Sequence, residues 1–140
     1  MTPTQQTVFG DKGNCFEACI ASFFDMDIKD VPDFNAYEEG GVWMRHLNNW
    51  LAPQGLVYFE GRIPHTEIEE FFRDKDFYHI MIAPTMRSSE ICHAVIGRKG
   101  KMLFDPHPDN VGIIKEKNGL RFGVFVKTFV LINESVQVSP

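Results

Sequence analysis

The stretch ICHAVIGRKGKMLFD, residues 91–105, contains two apolar runs on either side of a short polar segment that ends in Gly100. This pattern is typical of a β-hairpin, in which a glycine supplies the left-handed conformation that the turn requires. It predicts two paired strands, Ile91 to Gly97 and Lys101 to Asp105. The stretch therefore predicts an antiparallel sheet.

The length of the turn decides which side chains share a face of this hairpin. A three-residue loop, Arg98 to Gly100, places His93 directly opposite Asp105, with Cβ atoms roughly 5 Å apart. A two-residue loop, Lys99-Gly100, places Asp105 opposite Ala94 and on the other face from His93. We expect the three-residue loop, because it lets the carboxylate orient the imidazole.

The segments outside the hairpin supply helices first and more strands later. Apolar residues at helical or alternating spacing predict helices at Cys15 to Phe24, Val42 to Ala52 and Thr66 to Phe72, and strands at Leu56 to Ile63, Phe77 to Ala83 and Arg121 to Ile132. This order favours an α+β domain in which the N-terminal helix packs on an antiparallel sheet. Hydrophobic residues make up 44% of the 140 residues, enough for one core, so we expect residues 1–140 to form a single domain.

The charge of the chain argues against two classes of partner. The 14 Lys and Arg residues are outnumbered by 19 Asp and Glu residues, and they are scattered. Nucleic acids and anionic membranes both require clustered basic residues. The chain also lacks an apolar run of about 18 residues and a secretory signal. We therefore expect a cytoplasmic protein that binds neither nucleic acid nor membrane.

Cys15 occupies the position in the sequence that best suits a nucleophile. Asn14 and Glu17 are spaced as a capping box, so Cys15 is the first residue of the predicted helix. The first turn of a helix presents unpaired N–H groups and partial positive charge, which stabilise a thiolate and the oxyanion that forms when it attacks a carbonyl. Cys19, one turn deeper, is interpreted as a buried apolar residue.

A thiolate nucleophile needs a base, and His93 is the candidate that the hairpin places beside an acid. Asp105 would orient the imidazole, and the amide of Gln6 would supply a second oxyanion donor. The other four histidines, His46, His65, His79 and His107, are interpreted as structural or surface residues, with a place in the cleft as the alternative for His107. The proposed set requires no cofactor and no metal.

These residues, together with their neighbours, resemble a known family. The matching segments are Gln6-Thr7, GNCFEACIAS at 13–22, Val31-Pro32, HAVI at 93–96 and FDPHP at 104–108. They are similar to the small papain-like cysteine peptidases of bacteria and their phages, related to bacteriocin-processing peptidases and to transglutaminase-like proteins.

The resemblance implies a papain-like fold and an enzyme that cleaves or transfers the acyl group of a peptide or protein amide through a thioester. It assigns Cys15 as nucleophile, His93 as base and acid, Asp105 as orienting acid and Gln6 as oxyanion donor. A phage-encoded member would act in the cytoplasm of the bacterial host. Because Gln6 lies well upstream of Cys15, the loop between them must double back.

Two other hypotheses remain open at this stage. Cys92, His93, Asp105 and His107 could bind zinc at the hairpin end, although Cys92 and His93 point to opposite faces of a strand. Alternatively, the chain is a catalytically silent papain-like module that binds a protein, with aromatic residues such as Trp43 in its interface.

Overall fold

The computed structural model describes residues 1–37, 41–114 and 119–128. Its helices and strands are, in chain order, α1 (Cys15–Phe23), α2 (Val42–Leu51), β1 (Leu56–Ile63), α3 (Ile68–Phe72), β2 (Tyr78–Thr85), β3 (Ser88–Arg98), β4 (Lys101–Phe104) and β5 (Leu120–Lys127). Every predicted helix and strand is present; Leu56–Ile63 has both predicted ends, and the others differ at one end or both. The end of the last predicted strand, residues 129–132, lies outside the described residues.

The five strands form an antiparallel sheet in the order β1-β5-β2-β3-β4. The sheet and the N-terminal helix confirm the predicted α+β class. By their internal contacts the residues group into two compact units, Met1–Asp33 with Glu60–Gly123, and Phe34–Phe59 with the chain from Val124 onward. The single domain stays a prediction. None of the helices in the described residues is long and apolar enough to cross a membrane.

The second unit is built around α2, which buries Leu47 and Leu51. The Asn48 side chain accepts a hydrogen bond from the Tyr58 backbone N–H at 2.7 Å and so ties the helix to the start of β1. Trp43 lies 6.3 Å from the Tyr58 ring. At least part of the aromatic surface suggested for a partner interface therefore packs within its own unit.

In the first unit, α1 packs on β3 and carries the N-terminal arm. Ala18, Cys19, Ile20 and Ala21 are fully buried. The predicted capping box is wrong, because Asn14 makes no side-chain hydrogen bond to the helix. Its Oδ1 instead accepts from the backbone N–H groups of Thr7 and Val8, each at 2.9 Å. Asn14 therefore holds the arm folded back toward the start of α1.

Removing this tie is expected to loosen the arm. We expect Asn14→Ala to lower the free energy of unfolding by about 1 kcal/mol and to accelerate trypsin cleavage after Lys12, because the arm loses its side-chain anchor. Asp11→Ala changes an exposed residue of the same loop and serves as the control. Equal cleavage rates in the two variants would contradict the anchoring role of Asn14.

The β3–β4 hairpin differs from its predicted register. Arg98 pairs with Lys101, so the turn has two residues, Lys99 (φ 55°) and Gly100 (φ 78°), both left-handed as in a type I′ turn. The predicted three-residue loop is therefore wrong. A bulge then follows, because the next pair after Gly97 with Met102 is Ile96 with Phe104.

The bulge restores the face that the shorter turn would have changed. Leu103 is the extra residue, and one step further along Asp105 falls opposite Val95, which shares its face with His93. The prediction that Asp105 lies directly opposite His93 is therefore wrong; Asp105 lies diagonal to His93 on the same face. Neither of the two registers considered in the sequence contained this arrangement.

The Lys99-Gly100 turn is also held by a hydrogen bond to a buried histidine. Gly100 donates its N–H to His79 Nε2 at 3.1 Å, and the His79 ring stacks on Phe72 at 4.1 Å. Burial lowers the pKa of His79 to about 4, so this ring is neutral and accepts the bond. His79 is therefore a structural histidine, as predicted.

Candidate active site

Cys15, His93 and Asp105 meet where the start of α1 faces β3 and the end of β4. His93 Nε2 lies 2.6 Å from Asp105 Oδ1, and the charge of the Cys15 side chain also acts on the His93 ring. Because Nε2 faces the acid, Nδ1 is the ring nitrogen left for the sulfur. The backbone N–H of Ala94 lies 3.5 Å from Cys15 Sγ. The structure thus brings the three predicted residues together, with a hydrogen bond between the imidazole and the carboxylate.

Asp105 is held in its ionised form. Its side chain is buried, and it accepts from His93 and from the backbone N–H groups of His107 and Gly112, both at 2.8 Å. Burial alone would raise the pKa of Asp105, but these hydrogen bonds outweigh it and lower the pKa below its ordinary value. The Asp105 carboxylate is therefore held in place beside the imidazole.

His93 is only 5% exposed, yet its environment favours the charged imidazolium. Burial lowers the pKa of His93, but the hydrogen bond to Asp105 and the interaction with the Cys15 side chain outweigh it and raise the pKa to about 9. At neutral pH the ring therefore carries a proton and a positive charge.

Gln6 reaches the same site because the arm doubles back, as expected. The Gln6 backbone N–H donates to Pro106 O at 3.0 Å, and its Nε2 donates to Val8 O at 2.8 Å. Oε1 has no hydrogen-bond partner in the described part of the chain, and the side chain lines the same cleft as Cys15. Gly13 permits this packing, since a Cβ there would lie 3.0 Å from Val8 O.

The start of α1 supplies a backbone donor as well. The first hydrogen bond of the helical ladder runs from Ala18 N–H to Asn14 O, so the N–H of Cys15 precedes the ladder. A backbone N–H and a side-chain amide that border the same cleft are donors of the kind that an oxyanion needs.

A cleft of about 310 Å³ opens over these residues, and Gln6, Cys15 and His93 all line it. His107 also lines the cleft, with its ring 6.2 Å from the His93 ring, so the cleft position that was only an alternative in the sequence is the observed one. Phe9 lies at the exposed end. Sequence reasoning identified most of this set.

Arg87 is one of several lining residues that sequence reasoning missed, as are Phe9 and Ile91. Arg87 Nη1 lies 2.7 Å and 2.8 Å from the two carboxylate oxygens of Asp109, and Asp109 Oδ1 lies 2.9 Å from His107 Nδ1. The His107 backbone in turn donates to the oxygen of Asp105 that binds His93. A continuous chain of polar contacts therefore runs from Arg87 to the base. No spacing rule could have indicated a pair 22 positions apart on two loops.

The other two cysteines differ from Cys15 in exposure, although Cys92 lines the same cleft. Cys19 is fully buried, and burial raises the pKa of its thiol, so it is interpreted as inert. Cys92 is exposed. No group of three or more His, Cys, Asp or Glu side chains within residues 1–37, 41–114 and 119–128 is placed to hold a metal ion, and the zinc site considered above is not formed.

Comparison of the chain with protein-family models, curated proteins and solved structures gave no match. What the site can do therefore has to be argued from its own geometry.

Proposed function

We propose that this chain is a cysteine-nucleophile hydrolase or acyl-transfer enzyme that acts on an amide or peptide bond through a Cys15-His93-Asp105 triad. The observation that supports it most is the position of His93, which is hydrogen-bonded to the buried Asp105 carboxylate and lines the same cleft as Cys15. A nucleophile, a base and an orienting acid need this order.

The proposed reaction has two steps. The Cys15 thiolate attacks the substrate carbonyl carbon, and the electron pair of the C=O bond moves to the oxygen, which the N–H of Cys15 and the amide of Gln6 stabilise. The His93 imidazolium then gives its proton to the leaving nitrogen as the C–N bond breaks, and a thioester remains. Water or an amine next gives a proton to His93 and attacks the thioester, which releases the acyl product and restores the thiolate.

The wider proposal follows the family resemblance. The helix that begins with the nucleophile comes first in the chain, and the strand bearing the base and the acid after β4 come later, which is the order of the papain-like peptidases. We propose a papain-like fold, a peptide or protein amide as substrate, and a cytoplasmic site of action.

The first test is the pH dependence of alkylation by iodoacetamide, resolved by mass spectrometry at each cysteine. Because the proposed triad pairs Cys15 with a cationic imidazole, we expect Cys15 in the native protein to react about 100-fold faster than Cys92 near pH 6. Cys92 is an exposed cysteine in the same chain and acts as the internal control. The advantage of Cys15 should disappear in His93→Ala.

The opposite result has a clear meaning. If the alkylation rates of Cys15 and Cys92 depend on pH in the same way and His93→Ala leaves that dependence unchanged, His93 does not activate Cys15 and the enzyme proposal fails. A papain-like module that acts by binding a protein would then be the better hypothesis.

A further inference from the structure

We infer that the cleft over Cys15 selects substrates with an uncharged, apolar side chain beside the scissile carbonyl. The inference rests on the proposed function and specifies its substrate class. It is drawn from the rings, the charges and the glycines that line the cleft.

One wall of the cleft is a row of rings that ends at the base. The Phe9 ring meets the His107 ring edge-on at 5.1 Å, and His107 meets His93 in the same manner at 6.2 Å. Phe9 is 50% exposed, so its apolar surface is available to a ligand. Ile91 adds an aliphatic group to the lining. Such a surface gains free energy when it covers another apolar group.

The charges around the cleft disfavour an acidic side chain. Arg87 lines the cleft, but both carboxylate oxygens of Asp109 lie within 2.8 Å of its Nη1. The backbone N–H of Asp109 also donates to His107 Nδ1 at 3.2 Å and holds this loop in place. A substrate carboxylate would have to displace the Asp109 carboxylate from Arg87, which would leave a charge without its counter-ion.

A basic side chain is disfavoured for a different reason. No Asp or Glu is among the described residues that line the cleft, so a cationic group would lose hydration there without gaining a carboxylate partner. The edge formed by Gly10 and Gly13 carries no side chains. Of the three kinds of side chain, the apolar one alone finds a complementary surface.

The test uses irreversible probes that resemble an acyl group. A series of dipeptidyl acyloxymethyl ketones carries Phe, Leu, Glu or Lys beside the ketone, and the Cys15 thiolate displaces the carboxylate of each probe to form a thioether. Second-order rate constants are measured on the full chain and divided by the rate constant for iodoacetamide in the same variant. We expect the Phe and Leu probes to react about tenfold faster than the Glu and Lys probes.

Two variants locate the preference within the cleft. Phe9→Ala is expected to reduce the ratio of the rate constants for the Phe and Leu probes to those for the Glu and Lys probes to less than about threefold. The reason is that the apolar wall of the cleft loses its outer ring. Val8→Ala should keep the full ratio, since Val8 is the neighbouring residue, is equally exposed at 48%, and does not line the cleft.

The outcomes separate this inference from the proposed function. Rapid alkylation of Cys15 by iodoacetamide near pH 6, with equal rates for the four probes or a fastest rate for the Glu probe, would overturn the inference and leave the enzyme proposal standing. A ratio that survives Phe9→Ala would also overturn it. Slow alkylation of Cys15 would remove the proposed function, and the inference with it.

Discussion

Asp105→Asn is expected to lower the free energy of unfolding by about 3 kcal/mol near pH 6, because it leaves a buried imidazolium without its counter-ion. Asp105 is 2% exposed and His93 is 5% exposed, so water has little access to solvate the imidazolium in place of the carboxylate. The same change should slow alkylation of Cys15 roughly tenfold or more, since the imidazole loses the carboxylate that orients it and favours its charged form. Urea unfolding and site-resolved alkylation measure the two effects.

The pH dependence of this loss has a definite sign. The pKa of His93 rises from 6.5 to about 9 on folding, so its contribution to stability is complete below pH 6.5 and is lost as the pH rises through about 9. The pKa of Asp105 is lowered, so its contribution is present above 3.8 and is lost as the pH falls below that value. The difference between wild type and Asp105→Asn should therefore be largest from about pH 4 to pH 6.5 and shrink above it.

Asp109→Asn is the matched control for this prediction. Asp109 lies in the same loop, undergoes the same chemical change and pairs with Arg87 in a partly exposed position. We expect a smaller loss that does not shrink as the pH rises through the range in which His93 loses its proton. A pH-independent difference for Asp105→Asn would contradict the raised pKa of His93.

Gly100→Ala is expected to lower the free energy of unfolding by about 2–4 kcal/mol. This is the larger of the two effects that we predict for adding a methyl group to a glycine. Gly100 has φ +78°, and a Cβ there would lie 2.7 Å from both Ile68 O and Glu69 Cα. Backbone atoms of α3 cannot move aside as a flexible side chain can. The cost therefore combines a left-handed conformation with a clash.

The control separates those two contributions. Gly55 has φ +70°, and no atom lies within 4 Å of a Cβ built there, so Gly55→Ala should cost only about 1 kcal/mol. Thermal or urea unfolding of both variants gives the comparison. Equal losses would mean that α3 does not press against the hairpin turn.

Much of the fold was predictable because local patterns and tertiary packing agree. The strand Leu56 to Ile63 has the predicted ends, and α1 begins at Cys15 as expected. Asn14 shows where local reasoning fails. Its spacing to Glu17 is that of a capping box, but its side chain binds the arm instead, and a sequence pattern does not tell which backbone N–H groups will be close.

The candidate site was predicted from residue chemistry more than from geometry. The hydrogen bond between His93 and Asp105 was expected from a register that the structure does not have. Alternation counts residues and has no signal for a bulge, so the extra residue at Leu103 could not be seen. Arg87 was missed because its partner Asp109 lies on a loop whose path depends on the whole first unit.

The short turn and the bulge compensate for each other. A change of one residue in the length of a turn or a strand moves every side chain beyond it to the opposite face of the sheet, and a second change of one residue moves those side chains back. In this hairpin the turn Lys99-Gly100 and the bulge at Leu103 compensate in that way, so Asp105 stays on the same face as His93. Turn and strand can therefore exchange a residue without losing the acid, whereas either length changed alone would turn Asp105 away from the base.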